Sequence, residues 1–308
     1  MKVVVLAGGV GGAKLADGIA RILPAEDVTI VVNTGDDFEH AGLTICPDLD
    51  TVMYRLAGVA NDETGWGRAG ETWRTMNEVA ALDGPDWFRL GDLDLATHLT
   101  RTYLLKQGES LTAVTQHLCT QLGIKVSVLP MSNQPAPTQI QSDDAIYPFQ
   151  TWFVQEKWQP PVKKVLLPED VRATRSVIRA FETADLVLIA PSNPFVSIDP
   201  ILNVYPIRAL MMDLPQAVIA VSPIVGGQAV KGPAAKMMQE LGLPLASRTV
   251  ADYYDELIDG FVYDVQDAGQ CDDLAIETRC LDTMMHHEAD RIRLAEAVIQ
   301  FAEALLAY

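Results

Sequence analysis

Cysteine, basic side chains and long apolar runs are all scarce in this chain, and each shortage excludes something. The four cysteines (Cys46, Cys119, Cys271, Cys280) form no CxxC pair and no Cys/His zinc spacing, so neither a disulfide scaffold nor a structural zinc module is expected. They read as reduced, idle thiols. Lysine and arginine number 23 against 41 aspartates and glutamates, a formal net charge of −18. That sign argues against duplex nucleic acid or an anionic membrane as partner. A polyanionic ligand would need cations or a metal gathered locally. No stretch approaches the ~20 apolar residues of a membrane span. The opening MKVVVLAGGVGG is short and runs into glycines, as a buried first strand does and a signal peptide does not. A cytoplasmic protein is the expectation.

Hydrophobic residues make up 49% of the 308, enough for a substantial core. Short β-branched runs recur at Val3–Ala7, Val28–Val32, Ile124–Leu129, Leu186–Ala190 and Ala217–Val221. Their continuous apolarity marks strands covered on both faces, as in a parallel sheet. The expected fold class is α/β, a Rossmann-like, mostly parallel sheet in a single domain spanning residues 1–308. Residues ~50–120 carry helical periodicity and read as a helical insertion near the active site, covering it. Residues ~130–161 are proline-rich and read as an irregular flap, with a strand at Phe149–Gln155. Helical spacing from Thr283 to Tyr308 predicts a closing amphipathic helix. The two late runs end in polar loops, Pro191-Ser-Asn-Pro and Ser222-Pro-Ile-Val-Gly-Gly, and ligands of open α/β sheets gather at such strand ends.

The first run is followed by Gly8-Gly9-Val10-Gly11-Gly12-Ala13-Lys14 and then by a helix-like stretch. Glycines let backbone approach a phosphate closely, and a helix N-terminus supplies N–H groups and partial positive charge. Lys14 adds a full charge. The dinucleotide fingerprint would need glycine where Lys14 stands, and a Walker A loop would need glycine and Ser/Thr where Ala13 and Leu15 stand. Phosphate binding is therefore the reading, with the nucleotide undetermined by this loop. A plain strand–helix turn is the alternative.

Between Val32 and Tyr54 there is no lysine or arginine but there are five acids: Asp36, Asp37, Glu39, Asp48 and Asp50. Such a cluster beside a phosphate loop is unfavourable without a cation. Mg²⁺ binds through one or two carboxylates and completes its shell with water and phosphate oxygens. Asp36, Asp48 and Asp50 are the candidate ligands, Asp48 and Asp50 projecting to one side if their segment is extended. Alternatively, each caps a helix. Further on, WFRLGDLDLATHLTR (87–101) places Asp92 and Asp94 at a helix start with His98 and Arg101 on the following turns, and a cap and a packed histidine suffice to explain them.

Taken together, the segments LAGGVGGAKL (6–15), VVNTGDD (31–37), GLTICPDLDTVMYRLAG (42–58), WFRLGDLDLATHLTRT (87–102), ADLVLIAPSNPFVSI (184–198) and VSPIVGGQAVKGPA (221–234) resemble the 2-phospho-L-lactate transferases of coenzyme F420 biosynthesis. The resemblance runs over nearly the whole chain. It implies a Rossmann-like core with a helical insertion, a homodimer, a GDP-linked phospho-acid donor and the deazaflavin Fo as acceptor. It places Asp50 and Arg89 against Fo, and Gly8, Gly9, Gly11, Gly12, Lys14, Asn33, Ser192, Asn193, Ser222 and Gly226 near the nucleotide. Asp48 and Asp50 would be the catalytic pair. Three positions depart from the family pattern: Asp199 replaces a glycine, Asn133 an aspartate, and Tyr205-Pro206 a Pro-Gly. Two rivals stand beside the transferase. One is a nucleotide-sugar-binding regulator of the same superfamily, with no transfer reaction. The other is an NAD-dependent oxidoreductase, which Lys14 disfavours.

Overall fold

The computed structural model describes residues 1–307. Seven strands form one sheet: β1 (Val3–Ala7), β2 (Val28–Val32), β3 (Ser127–Pro130), β4 (Leu186–Ile189), β5 (Ala217–Val221), β6 (Gly260–Asp264) and β7 (Glu277–Leu281). Their order is β3-β2-β1-β4-β5-β6-β7, and every neighbouring pair is parallel. The expected α/β class holds. The side chains of β1 alternate between two cores. Val4 and Leu6 enter one, with Val31, Val187, Ile189 and Phe261. Val3, Val5 and Ala7 enter the other, with Ile30, Val32, Leu188 and Ile219. A strand buried on both faces in this way can be apolar at every position.

Helix α1 (Gly9–Ile22) follows β1 and packs with α2 (Pro47–Leu56) and the closing helix Glu288–Leu306 on the second core. Asp17 of α1, almost wholly buried, accepts hydrogen bonds from Arg21 at 3.0 Å and from Arg291 of the closing helix at 2.7 Å. The closing helix was expected to reach Tyr308, which lies outside the described residues. Between β2 and β3 the chain makes a small hairpin (Phe38–His40 with Leu43–Ile45), then α2, α3 (Arg74–Ala81), α4 (Asp92–Lys106) and α5 (Leu111–Gln121). Caps cross between the first of these. Asp92 accepts the Arg74 and Thr75 amides at the start of α3, while Glu71 accepts the Leu93 and Asp94 amides at the start of α4. Among the described residues no helix is long and apolar enough to cross a membrane.

Several expectations are corrected. Phe149–Gln155 contains no strand; Thr151–Gln155 forms one wide helical turn. Phe149 and Trp152 are both buried, a helical spacing, and the Trp152 indole N–H donates to Pro160 O at 2.8 Å. Packing of that indole overrides the strand preference of the aromatic run. The strands of this region lie elsewhere, in an antiparallel sheet of Gln139–Gln141, Ile146–Pro148 and Lys164–Leu166. Strands β6 and β7 were not anticipated. β7 reads ETRCL and is half exposed at the sheet edge, so it lacks an apolar run. Asp199 has φ −54°, so the position needs no left-handed tolerance. Asn133 accepts both the amide and the hydroxyl of Thr112, at 2.9 and 2.8 Å, and anchors the first turn of α5.

Candidate active site

The chain runs outward from β1 to β3 and then returns to the other side of β1 at β4, so the switch point lies between β1 and β4. The loops leaving these two strands frame a crevice there. It opens into a cavity of about 910 Å³ lined by Gly8–Gly11, Lys14, Asp36 and Asp48, by Pro191–Asn193 and Ser222, and by Trp87, Phe88, Arg89, Phe149 and Phe153. That volume lies at the upper end for ligand pockets.

The glycines of the first loop are demanded by their neighbours. A Cβ on Gly11 would fall 2.2 Å from Pro191 O, and one on Gly12 2.5 Å from Ser192 Oγ. Gly9 has φ +62°, which side-chain-bearing residues adopt at a penalty. Ser192 stitches the two loops, accepting the Gly8 amide at 3.3 Å and donating to Gly8 O at 2.8 Å. At the open end of α1 the Gly9 N–H donates to Asp48 Oδ1 at 2.7 Å. The next amides, Val10 and Gly11, have no side-chain partner among the described residues. They are free helix N-terminal donors, as an anion site requires.

Asp48 reaches that position because Pro47 starts α2 and lacks the N–H a helix start would waste. Asn33, fully buried, donates to Asp48 Oδ2 at 2.9 Å, to Asp36 Oδ1 at 3.0 Å and to Val196 O at 3.1 Å. Gln150 donates to the other Asp36 oxygen at 3.3 Å. Burial raises the Asp48 carboxyl to about 6, opposed by the Asn33 and Gly9 hydrogen bonds. Burial, and then the nearby Asp48 charge, hold Asp36 well above the ordinary carboxylate range. Two buried carboxyls bridged by one amide beside a cavity suit a hard divalent cation, which would take their oxygens and leave places for ligand oxygens. The donor set of Asp36 and Asp48 therefore fits Mg²⁺.

The expected Asp48/Asp50 pair does not form. The segment is helical, and residues two apart on a helix point about 200° apart. Asp50 does not line the cavity. Its carboxylate is held by Arg101, through Nη1 at 3.1 Å and through Nη2. Arg101 also donates to His98 Nδ1 at 3.0 Å, and Tyr54 donates to Asp94 at 2.6 Å. Asp50, Asp94 and His98 offer oxygens and a nitrogen close enough to share an ion. The buried Arg101 guanidinium pairs with Asp50, so this structure places Asp50 in an ion pair away from Asp48 rather than beside it at the cavity. Asn33 and Gly12 lie behind the cavity wall. Gly226 also lies outside it, its amide donating to Asp267 at 3.1 Å. Arg89 does line the cavity, its guanidinium 5.1 Å from the Trp73 ring centre and donating to Asn77 at 2.9 Å.

Other cavity residues were not singled out from the sequence. Trp87 and Phe88 pack edge to face with centroids 5.7 Å apart, and Phe149 and Phe153 are stacked at 5.5 Å. Lys231, Gln150 and Ser197 also face the space. None of these carries a local pattern that separates it from an ordinary core or surface position.

A family model described as 2-phospho-L-lactate transferase CofD matches residues 3–306. A phosphoenolpyruvate transferase of Streptomyces griseus is 37% identical, with all of both chains covered. A 2-phospho-L-lactate transferase of Methanosarcina acetivorans is 39% identical over 96% of this chain and 97% of its own. A crystal structure of a UPF0052 family protein from Bacillus halodurans superposes with a TM-score of 0.63, covering 97% of this chain and 98% of that one at 16% identity. At that identity the likeness concerns the fold.

Proposed function

Because the chain belongs to the 2-phospho-L-lactate transferase CofD family, we propose that it moves a phosphorylated three-carbon acid from its GDP-linked donor to the terminal ribityl hydroxyl of the deazaflavin Fo. The products are GMP and an F420-type precursor. One observation carries this reading: free α1 amides, the Asp36/Asp48 pair and an aromatic wall ending in Arg89 all face the same cavity. A diphosphate would lie on the Val10 and Gly11 amides with Lys14 alongside. The flat deazaflavin ring would lie against Trp87, Phe88, Phe149 and Phe153, with Arg89 as its polar anchor. A homodimer, in line with the family, is part of the same reading.

The hydroxyl oxygen forms a bond to the phosphorus bearing the acid, and its O–H bond breaks with the proton released to solvent. The bond from that phosphorus to the bridging oxygen breaks, and GMP leaves with the electron pair. The α1 amides and Lys14 stabilise charge on the phosphates, and the cavity walls align the oxygens and exclude water. Mg²⁺ held by Asp36 and Asp48 would neutralise the diphosphate when bound. No cysteine lines the cavity, and burial pushes the Cys46 thiol up. Direct transfer therefore accords with the site better than a thiol-bound intermediate. Incubating the protein with Mg²⁺, Fo and each candidate donor should give a product whose mass equals Fo plus the phospho-acid residue. GDP binding with no product from any donor would favour the regulator instead.

Protons and a divalent cation compete for the same carboxylate oxygens. A carboxyl raised to about 6 in the folded state favours folding only when protonated. Without metal, its contribution is full below the unfolded value of ~4 and is lost as pH rises through about 6. Metal-linked stability runs the other way. Adding Mg²⁺ should raise the thermal unfolding midpoint at pH 7.5, and that gain should vanish by pH 5. Equal gains at both pH values would count against the Asp36/Asp48 site.

A further inference from the structure

We propose that Lys231, on the loop after β5, is a ligand for the donor's diphosphate, carried over the glycine loop from a distant part of the chain. This rests on the reading of the cavity as a nucleoside diphosphate site. Lys231 is exposed and lines the cavity. Its Nζ donates to Thr64 O at 3.1 Å. Position 65 fixes where that ammonium lies. A Cβ built on Gly65 would stand 2.5 Å from Lys231 Nζ and 3.1 Å from a Val10 methyl. The ammonium therefore lies near the side chain of Val10, whose amide is the first unclaimed one of α1.

The electrostatic setting favours an anion there. Lys14 and Lys231 both face the cavity, and each is held by a backbone carbonyl, Met285 O at 2.5 Å and Thr64 O, with no carboxylate partner among the described residues. Burial first, and then the charges of Arg55, Lys231 and Arg291, lower the proton affinity of Lys14, against the opposing charge of Asp62, so Lys14 and Lys231 feel each other's charge across the cavity. Asp36 and Asp48 are held by amides rather than by these lysines. A diphosphate on the α1 amides would receive Lys231 from above and relieve that repulsion. A lysine bound only to a surface carbonyl gives up little by turning to a phosphate oxygen, because a hydrogen bond between charged groups is the stronger one.

The test is calorimetric titration of the full chain with GDP in the presence of Mg²⁺. Lys231→Met should weaken GDP binding about tenfold or more, with an unchanged melting midpoint. Lys231→Arg should stay within about threefold of wild type, since it keeps the charge. Lys236→Met makes the same charge change one helix away, where Lys236 is paired with Glu240, and should match wild type. Lys231→Met binding GDP within twofold of wild type would overturn the assignment while leaving the cavity reading in place. Equal losses in Lys231→Met and Lys236→Met would also overturn it, as would Lys231→Arg as weak as Lys231→Met. A wild-type protein that takes up no GDP would instead remove the cavity reading, and the assignment with it.

Discussion

Asp48→Ala should lower kcat/KM for the transfer by about 10³-fold or more, the scale of losing a preorganised charge-stabilising group, while the protein remains folded. Asp48 touches the Gly9 amide, shares Asn33 with Asp36 and faces the cavity. Among the described residues no other carboxylate accepts an amide from the first turn of α1, so that contact has no substitute. Stability should move little. With its carboxyl raised to about 6 by burial, ionised Asp48 opposes folding at pH 7.5 in the absence of metal, so its removal gives back what the lost hydrogen bonds take away. The urea midpoint should therefore correspond to a change within about 1 kcal/mol. Turnover within tenfold of wild type at saturating Mg²⁺ would exclude Asp48 from the reacting centre.

Two residues along, the expected result is reversed in kind. Asp50→Ala should destabilise the fold by about 3–5 kcal/mol, because it leaves a guanidinium buried without its anion. Arg101 is 1% exposed, and the hydrogen-bond partners it would keep are His98 Nδ1 and Thr44 O at 3.4 Å; the Asp94 carboxylate lies within reach of its charge but is bonded to Tyr54 instead. Removing both charges should cost far less, so Asp50→Ala/Arg101→Met should recover most of the lost stability. Urea unfolding of the wild type, the two single variants and the double variant measures this coupling directly. A double variant no more stable than Asp50→Ala would show that the carboxylate matters for something other than its pairing with Arg101. The contrast between two aspartates in one PDLD segment (47–50) also tests the geometry of α2. An extended segment would make both variants catalytic; a helix separates their effects.

The open end of α1 links the two results to the Lys231 assignment. Asp48 occupies the first amide, leaving the second and third for an anion. The Asn33 side chain fixes the spacing of Asp36 and Asp48 from behind. Substrate, metal and lysine would thus meet on a surface whose supports come from the ends of β1, β2 and β4.

Much of the fold was legible because parallel strands buried on both faces must be apolar throughout. Val3–Ala7, Val28–Val32 and Ala217–Val221 occur as strands with those bounds. The glycine loop was legible for a related reason: close backbone approach leaves no room for a Cβ, and at Gly11 and Gly12 that requirement is visible as contacts under 3 Å. The family could be recognised from many short segments at once, since each follows from a local backbone need. Tertiary structure alone decided which aspartate faces the cavity, because from Asp48 to Asp50 a strand would return both side chains to one side, whereas the helix turns them about 200° apart. It alone brought Arg101 to Asp50 across 51 positions and Lys231 to Thr64 across 167. No spacing rule in a sequence encodes such separations; they depend on how helices and loops from distant parts of the chain converge at the carboxyl ends of the strands.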